Sequence, residues 1–541
     1  MVKKSPFAPI PIPSSNVLSF LFPPGSPLRS ATKPIWIDSA DPTLQLTTAA
    51  ALDWVKRLCS GLENFKDQAS GQQVVKKGEV VLIFTPNQIF VPVAYLGIVG
   101  SGRIFSGINP GYSVNEVVYQ MNNTEAKVIL VHPSLLDTAV AAARQAGIPT
   151  DRIFQFSETE VPMRDGVRDW RELLANLEAS RDYQWPELSE NEAANTIATI
   201  NYSSGTTGLP KGVCVSHRNL IANILQSNYI RNALVQYGPE GPPQHRWIGF
   251  LPLYHVYGQM MTILHAVRNQ VPIYVMKKFV FEDYLRAIQD YKITYLHVVP
   301  PIMVMLSKRP ETAKYDLSSY QAGLGNDRSD DGCNSCSGGV EDKTGSAGVL
   351  DPNCECKLLD DDGNEVPEGE PGEMYIRSPN VSMKYWKNEE ATRETMLSDG
   401  WLRTGDIAVC RGDWFWIVDR KKELIKVNAL QVAPAELEAA LLENDDIADA
   451  AVVGMKMNDE EFPRAYVVLK DAVKQRPNPL TGEQIQEWIK PRVAKHKWLT
   501  GGVELIDEVP KLPSGKIMRK VMREWAKRDA AKFQGLQRAK L

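Results

Sequence analysis

The 541-residue chain has little excess of charge of either sign and no long uninterrupted apolar run. Its net charge is −4 and its Lys and Arg residues do not cluster, so the sequence does not indicate a nucleic-acid binder. One uncharged stretch covers residues 80–102, but Pro86, Asn87 and Pro92 interrupt it. We therefore predict a buried strand followed by a buried helix there, and no transmembrane segment.

Cysteine is also scarce. The chain has seven, an odd number, and its N-terminus lacks the apolar core of a secretory signal. Both features favour reduced thiols inside a cell. Two pairs, Cys333/Cys336 and Cys354/Cys356, have spacings at which a zinc site is conceivable. The first pair falls in a polar loop and the second in an alternating segment typical of a strand, so ordinary thiols are the favoured interpretation.

The pattern along the chain indicates an α/β protein of several domains. Between about residues 70 and 300, short apolar runs alternate with amphipathic helical patterns, which predicts parallel sheets covered by helices. A turn-rich zone of short strands follows. We predict a large N-terminal region, residues 1–419, of mostly parallel sheets covered by helices plus a small β-subdomain. A smaller α+β C-terminal domain would occupy residues 420–541.

Individual elements follow from the apolar periodicity. The predicted strands lie at residues 80–84, 126–131, 152–156, 196–202, 450–453 and 465–470. The predicted helices lie at about residues 89–100, 115–122, 135–146, 433–443 and 482–496.

A loop of small residues follows the strand predicted at 196–202. Residues 202–212 are Tyr-Ser-Ser-Gly-Thr-Thr-Gly-Leu-Pro-Lys-Gly. Glycine permits a close backbone approach and positive φ, so N–H groups and hydroxyls can contact phosphate oxygens, and Lys211 adds a positive charge. The loop differs from a Walker loop because Pro210 and Gly212 flank the lysine. A Gly/Ser loop alone is usually a simple connection, but this ordered string predicts a phosphate site.

Three further motifs stand at residues 250–258, 400–406 and 513–517. The first, Phe-Leu-Pro-Leu-Tyr-His-Val-Tyr-Gly, places His255 among apolar and aromatic residues, where a packed core histidine is the default. The second ends on Asp406, which by itself could be a turn-capping residue. The third, Pro-Ser-Gly-Lys-Ile, distinguishes Lys516 from the other lysines of a basic tail, which are normally only solvated.

In this order, over roughly residues 35 to 525, the motifs resemble those of the adenylate-forming enzymes. That family includes acyl-CoA synthetases, 4-coumarate–CoA ligases and firefly luciferase. The resemblance implies that ATP and a carboxylic acid form an acyl-adenylate and pyrophosphate, with Mg²⁺ present. The acyl group then passes to a thiol, usually that of coenzyme A, after the mobile C-terminal domain has moved.

The resemblance also assigns site residues by position. ATP and AMP would be bound by Ser203, Ser204, Gly205, Thr206, Thr207, Gly208, Lys211, Asp406, Arg420, Lys426 and Gln431. Among these, Asp406 would accept hydrogen bonds from the ribose hydroxyls, and Thr206 would lie at the metal. Tyr254, His255 and Gly258 would shape the acid pocket, and Lys516 and His255 would be the catalytic residues. Coenzyme A would contact Asn428 and Ala429, and Lys422 would be the hinge.

The chain departs from the family pattern between residues 322 and 343. The family's Tyr-Gly-x-Thr-Glu motif, which supplies adenine contacts and a magnesium-binding glutamate, is absent, and the surrounding segment is shortened. Either the natural protein is longer than this sequence, or the chain is a member that has lost part of the nucleotide pocket. We expect little ATP–pyrophosphate exchange with any acid. In addition, Ala429 stands where the family usually has glycine, and its methyl group would narrow the thiol path.

The favoured function is an acyl-CoA ligase of the coumarate-ligase type that acts on an aryl or medium-chain acid. A stand-alone adenylating enzyme that serves a carrier protein is one alternative. A non-catalytic binding protein is another, and the missing glutamate favours it. The terminal Ala539-Lys540-Leu541 is one substitution from the peroxisome address Ser-Lys-Leu, so we expect an import receptor as partner and a peroxisomal, otherwise cytoplasmic, location.

Overall fold

The computed structural model describes residues 2–203, 210–234, 244–320, 322–324, 345–427, 430–457, 460–511 and 517–538. The strands are β1 (Lys3–Lys4), β2 (Pro34–Asp38), β3 (Gln45–Thr47), β4 (Val80–Phe84), β5 (Ile104–Ile108), β6 (Val128–Val131), β7 (Ile153–Gln155), β8 (Arg168–Asp169), β9 (Ile197–Ser203), β10 (Lys211–Ser216), β11 (Trp247–Gly249), β12 (Ile273–Val275), β13 (Tyr295–His297), β14 (Ala322–Leu324), β15 (Glu355–Leu359), β16 (Gly372–Arg377), β17 (Lys384–Tyr385), β18 (Leu402–Arg411), β19 (Trp414–Arg420), β20 (Ile425–Val427), β21 (Leu430–Val432), β22 (Ile447–Met457), β23 (Glu460–Leu469) and β24 (Val503–Leu505).

The helices are α1 (Val17–Leu21), α2 (Thr48–Asn64), α3 (Val91–Gly100), α4 (Val114–Thr124), α5 (Leu136–Ala146), α6 (Leu177–Ser180), α7 (Glu190–Asn195), α8 (His217–Leu234), α9 (Val256–Gly258), α10 (Ala266–Asn269), α11 (Phe281–Tyr291), α12 (Pro300–Lys308), α13 (Glu389–Thr395), α14 (Pro434–Leu442), α15 (Asp471–Lys474), α16 (Gly482–Ile489) and α17 (Arg519–Arg538). A π-helix, Gln259–His265, joins α9 to α10.

The largest sheet has eight strands in the order β17-β10-β9-β5-β4-β6-β7-β8. Neighbours from β9 to β8 are parallel, whereas β10 is antiparallel to both β9 and β17. Every residue of β4 is buried, as expected of a continuous apolar run that is covered on both faces. Helix α3, also buried throughout, packs between α2 and this sheet.

A second sheet has six strands in the order β14-β13-β11-β12-β2-β3. All neighbours are parallel except β2 and β3. The π-helix packs closely on this sheet at Gly249, where a Cβ would lie 3.1 Å from the Thr262 hydroxyl oxygen. Strand β14 forms one edge among the described residues, and the shortened segment that follows it, residues 325–344, lies outside them.

The β-subdomain is a five-stranded antiparallel sheet in the order β1-β15-β16-β18-β19. Cys354 and Cys356 are buried in its core, and the Cys354 sulfur lies 3.0 Å from the Ser378 hydroxyl. Cys333 and Cys336 lie outside the described residues. Within the described ranges, no group of three or more His, Cys, Asp or Glu side chains is arranged to hold a metal ion.

The C-terminal part contains the hairpin β20–β21 and the three-stranded sheet β22-β23-β24. Helices α14 and α17 pack on β22, and α16 packs on β24. This arrangement, together with the helix-covered sheets and the β-subdomain, confirms the predicted fold class. The described helices include none that is both long and apolar enough to cross a membrane.

Most predicted elements lie within a few residues of the observed ones, but the helix predicted at 482–496 is wrong in its second half. Helix α16 ends at Ile489 and a 3₁₀ turn, Lys490–Arg492, follows. Pro491 explains the stop, because proline has no backbone N–H and its ring clashes with the preceding turn of an α-helix. The strand predicted at 450–453 is longer than expected, since β22 forms an extended hairpin with β23.

Candidate active site

The predicted phosphate loop connects two strands of the eight-stranded sheet. β9 ends at Ser203 and β10 begins at Lys211, and these two residues are paired across the hairpin. The Ser203 hydroxyl lies 3.5 Å from the Lys211 carbonyl oxygen. The loop residues between them, Ser204, Gly205, Thr206, Thr207 and Gly208, lie outside the described residues.

The end of this loop at residues 210–212 is braced by neighbouring elements. A Cβ on Gly212 would lie 2.8 Å from the Ile200 side chain and 3.2 Å from the Cβ of Trp386, so only glycine fits there without a shift. Tyr119 on α4 donates a hydrogen bond to the Pro210 carbonyl at 2.8 Å. The Lys211 ammonium lies 5.4 Å from the centre of the Tyr385 ring. Packing therefore fixes where the loop rejoins the sheet.

The motif at residues 250–258 lies over the carboxyl end of β5, next to β9. Phe105 of β5 pairs with Thr199 of β9, which puts Gly107 level with Asn201, two residues before the end of β9. A Cβ on Gly107 would lie 2.7 Å from the Cα of Tyr254, so the absence of a side chain lets the loop pack against the strand. This places the Tyr254–His255 loop and the phosphate hairpin at neighbouring strand ends, where parallel α/β sheets usually bind ligands.

His255 begins α9. Its Nδ1 accepts a hydrogen bond from the Tyr257 backbone N–H at 3.3 Å, which fixes the ring orientation. Gly258 ends the same turn, and a Cβ there would lie 2.3 Å from the Pro252 carbonyl oxygen. Burial raises the pKa of Tyr254 to about 12, with a further contribution from Tyr112. Tyr254 therefore remains a neutral phenol that can donate a hydrogen bond.

Asn87 holds this loop in place, a role that the sequence patterns did not indicate. Its buried amide nitrogen donates to the carbonyl oxygens of Leu251 and Met276 at 3.0 and 3.2 Å, and its oxygen accepts from Leu253 N–H at 2.9 Å. In the sequence Asn87 interrupts an apolar stretch after a predicted strand. A polar residue directly after a buried parallel strand is the signal that could have identified it.

The motif at residues 400–406 brings Asp406 close to Arg420 in the β-subdomain. The two residues are paired between β18 and β19, and the Arg420 Nε lies 3.3 Å from the Asp406 Oδ1. Asp406 is buried, and Gly405 before it has φ +75°, a conformation that favours glycine. A buried carboxylate beside a half-exposed guanidinium is suited to a ligand that carries both hydroxyls and phosphate.

Just after this pair, the partners of the charged side chains change from the β-subdomain to the C-terminal part. The Lys421 ammonium binds Glu373 and Asp361 of the β-subdomain at 2.9 and 2.6 Å. In contrast, Glu423 pairs with Arg519 of α17 at 2.7 Å, within the C-terminal part. Lys422 stands between them. Burial lowers its pKa, and the nearby Arg420 charge lowers it further.

The remaining predicted site residues belong to the C-terminal part. Lys426 on β20 is exposed and pairs with Gln431 on β21, while Asn428 and Ala429, between them, lie outside the described residues. Lys516 also lies outside the described residues. The flanking residues Lys511 and Ile517 form a β-bridge, which brings the two ends of its loop together.

The described residues do not form a magnesium site by themselves. Mg²⁺ prefers oxygen ligands, and Thr206, the assigned hydroxyl, is outside the described ranges. Asp406 is a buried carboxylate but is paired with a cation. The described donor set is therefore suited to an organic ligand with hydroxyl and phosphate groups rather than to a metal cage.

Comparisons with known proteins agree with this geometry. The family model described as AMP-binding enzyme matches residues 45–339 and 331–386, and the AMP-binding enzyme C-terminal domain matches residues 436–516. The first match is thus split inside the shortened segment. An acyl-CoA synthetase of Alternaria alternata is 35% identical over 91% of this chain and 87% of its own length. A phenylacetyl-CoA ligase of Aspergillus niger is 32% identical over 96% of this chain and 98% of its own length.

Solved structures show the same fold. An anthranilate CoA ligase in complex with anthranoyl-AMP has a TM-score of 0.81 at 22% identity, covering 96% of this chain and 99% of its own. ATP-bound MatB from Rhodopseudomonas palustris has a TM-score of 0.77 at 22% identity, with 95% and 99% covered. The resemblance in the sequence motifs is confirmed: the chain belongs to the AMP-binding enzymes, and its relatives include acyl-CoA synthetases.

Proposed function

We propose that the chain joins an aryl or medium-chain carboxylic acid to coenzyme A through an acyl-adenylate, with release of AMP and pyrophosphate. The observation that carries the proposal is the pair formed by the buried Asp406 and the half-exposed Arg420 at the junction with the C-terminal part. The names of the relatives support the acid class, since they include a phenylacetyl-CoA ligase and a probable 4-coumarate–CoA ligase of Dictyostelium discoideum.

The first step makes the carboxylate reactive. A carboxylate is a poor electrophile because its leaving group would be oxide, and attack on the α-phosphate of ATP replaces oxide with AMP. Asp406 would accept hydrogen bonds from the ribose hydroxyls, while Arg420 and the loop from Ser203 to Lys211 would hold the phosphates. Lys516 would offset the repulsion between the two anions as they meet. We propose Mg²⁺ as the metal that accompanies ATP.

The second step transfers the acyl group to the coenzyme A thiol. It requires Lys516 to leave and the thiol to enter, so a movement of the C-terminal part beyond Lys422 is expected. Lys422 is the proposed hinge, because Lys421 is held by the β-subdomain and Glu423 by α17. Asn428, Ala429, Lys426 and Gln431 would line the thiol path.

The terminal Ala539-Lys540-Leu541 supports a peroxisomal location through an import receptor. These three residues lie outside the described ranges. A fluorescent protein fused to the N-terminus should reach peroxisomes, and deletion of the last three residues should return it to the cytoplasm.

Adenylation by this chain should be slow, because the Tyr-Gly-x-Thr-Glu motif is absent. Alignments with two relatives run over 558 and 559 positions, more than the 541 residues of the chain, so the chain has gaps against them. ATP–pyrophosphate exchange with phenylacetate, 4-coumarate and hexanoate is the test. We expect little exchange by the chain itself, and recovery when residues 322–344 are replaced by the corresponding segment of the Alternaria relative.

The outcomes separate the competing functions. Recovery followed by transfer to coenzyme A supports the ligase, whereas transfer only to a phosphopantetheinyl carrier protein would indicate the stand-alone adenylating enzyme. If neither the unaltered chain nor the chain with residues 322–344 replaced binds ATP in calorimetry, although both fold normally, a non-catalytic binding protein is favoured. The missing glutamate favours the same function. Robust exchange by the unaltered chain would show that the expectation from the absent motif is wrong.

A further inference from the structure

One turn of α4 contacts both strands of the phosphate hairpin, which consists of β9, β10 and the loop between them. Tyr119 and Asn123 lie four residues apart on α4, so their side chains share one face of the helix. The Tyr119 hydroxyl donates to the Pro210 carbonyl at 2.8 Å, where the chain returns from the loop. The Tyr202 hydroxyl, one residue before the end of β9, donates to the Asn123 side-chain oxygen at 2.5 Å. These two bonds hold the hairpin at both ends of its loop.

A tryptophan completes the contact. Trp386 directly follows β17, the antiparallel neighbour of β10, and its backbone N–H donates to the Gly212 carbonyl at 2.7 Å. Its indole N–H donates to the backbone carbonyl of Asn123 at 2.9 Å. That carbonyl is among the last four of α4, which have no partner within the helix. Asn123 is therefore the point at which α4, β9 and the segment after β17 meet.

The side chains of this group, Tyr119, Asn123, Tyr202 and Trp386, are called here the hairpin clamp. The two tyrosine rings lie edge-to-face with their centres 6.5 Å apart. A Cβ on Gly212 would lie 3.2 Å from the Trp386 Cβ and 3.3 Å from the Tyr202 Cζ, so the clamp also packs closely on β10. Burial raises the pKa of both tyrosines, and each is therefore a neutral phenol that donates its hydrogen bond.

The clamp acts on the hairpin partly through two carbonyl oxygens, those of Pro210 and Gly212. A carbonyl oxygen repels a phosphate, whereas a backbone N–H attracts it. Tyr119 and Trp386 commit the two oxygens to donors outside the loop, which keeps the oxygens from facing the phosphates. In addition, a loop whose ends are already fixed loses less conformational entropy when it closes on a ligand, and its affinity for that ligand is higher.

We propose that Tyr119 and Asn123 are positioning residues for the triphosphate of ATP and for pyrophosphate. They act through the hairpin, by holding the two ends of the phosphate loop, and not by contact with the nucleotide. This inference rests on the proposed function, because it adds to the role that the phosphate loop has there.

Asn123→Ala and Tyr119→Phe each remove one side-chain hydrogen bond to the hairpin. Each should weaken the binding of ATP and of inorganic pyrophosphate by about three- to tenfold, the usual effect of one hydrogen bond. Adenosine, which has no phosphate, should bind as it does to the parent chain. Calorimetry measures the three dissociation constants in the full-length chain, with and without the 322–344 replacement. Asn122→Ala, at the exposed neighbouring position of α4, is the matched control and should change none of them.

The hairpin itself supplies a second measurement that needs no nucleotide. Trypsin cleaves after lysine, and Lys211 begins β10. Cleavage at Lys211 should be about three- to tenfold faster in both variants, because the hairpin opens locally more often. The thermal midpoint should fall by no more than about 2 °C, since one hydrogen bond is a small part of the stability of so large a chain. A large fall in the midpoint together with weaker adenosine binding would show a merely structural role and contradict the proposal.

A double-mutant cycle tests the contact between Asn123 and Tyr202. Tyr202→Phe removes the same hydrogen bond from its other end. The double variant should therefore bind pyrophosphate about as well as either single variant. Losses that add up in the double variant would mean that the two side chains act independently, and the clamp would be refuted at this contact.

Different results would overturn the clamp and the ligase. Unchanged affinity for ATP and pyrophosphate in both variants would overturn the clamp and leave the ligase function intact. Weakened pyrophosphate binding in the variants, with no adenylation by the chain that carries the 322–344 replacement, would support the clamp and reject the ligase. If neither parent chain binds ATP or pyrophosphate, both are overturned.

Discussion

A single arginine fixes the end of the loop that carries Lys516. Arg519, three residues later, pairs with Glu438 of α14 at 2.6 Å and with Glu423 at 2.7 Å, and it donates to the Val452 carbonyl at 2.9 Å. All three charged side chains are nearly buried. Arg519 therefore joins the start of α17 to α14, β22 and the segment after the hinge, and acts on the proposed chemistry as a positioning residue.

Replacement of Arg519 by methionine should destabilise the C-terminal part by about 3 kcal/mol or more, because two buried carboxylates lose their cation. In the chain with residues 322–344 replaced, exchange activity should fall even at temperatures where the variant remains folded, since the Lys516 loop loses its anchor. Urea unfolding and ATP–pyrophosphate exchange measure the two effects. Arg528→Met, at an exposed position of the same helix, is the control and should change neither. A variant with normal stability would show that the carboxylates find other partners.

At the scale of elements, a buried histidine joins the N-terminal segment to the large domain. His217 begins α8, and its Nδ1 accepts a hydrogen bond from the Val17 N–H of α1 at 3.1 Å. Burial lowers the pKa of His217 to about 4 from an ordinary value of 6.5. The folded state thus holds this ring neutral under conditions in which the unfolded chain would protonate it.

Acid therefore weakens the contribution of His217 to the stability of the folded state. Between pH 6.5 and about 4 the unfolded state binds more protons at this position, so the stability that His217 contributes is complete above pH 6.5 and is lost as the pH falls. The loss approaches about 3 kcal/mol, at about 1.4 kcal/mol for each pKa unit. His217→Asn keeps an acceptor near Nδ1 but cannot titrate, so its urea midpoint should decline less between pH 7 and pH 4.5. A decline equal to that of the unaltered chain would assign the acid sensitivity to other groups.

The sequence predicts elements well where local pattern and final packing agree. The apolar run at 80–84 became β4, and the pattern at 433–443 became α14. The pattern could not reveal the π-helix at Gln259–His265, because an amphipathic repeat hardly differs between the two helix types over so few residues. Nor could it reveal the role of Asn87, whose partners come from segments distant in sequence. The family motifs could be recognised because each keeps its chemistry within a few consecutive residues.

At the scale of the whole molecule, the large domain and the C-terminal part meet through a very short connection. Lys421 is anchored on one side and Glu423 on the other, so rotation between the two parts would have to occur at Lys422. Proline there fixes φ near −65° and removes that freedom. Adenylation and acyl transfer should respond differently to this proline. Only acyl transfer depends on a movement of the C-terminal part after the adenylate has formed.

We therefore expect Lys422→Pro, made in the chain with residues 322–344 replaced, to retain ATP–pyrophosphate exchange within about twofold while transfer to coenzyme A falls by about tenfold or more. Exchange and single-turnover thioester formation from preformed adenylate measure the two steps separately. Lys422→Ala removes the same charge without restricting the backbone, so it should keep both steps. If proline and alanine have equal effects on transfer, the lysine side chain is what matters and the hinge lies elsewhere. Loss of exchange and transfer in equal proportion with proline would instead mean that the first step also needs this freedom.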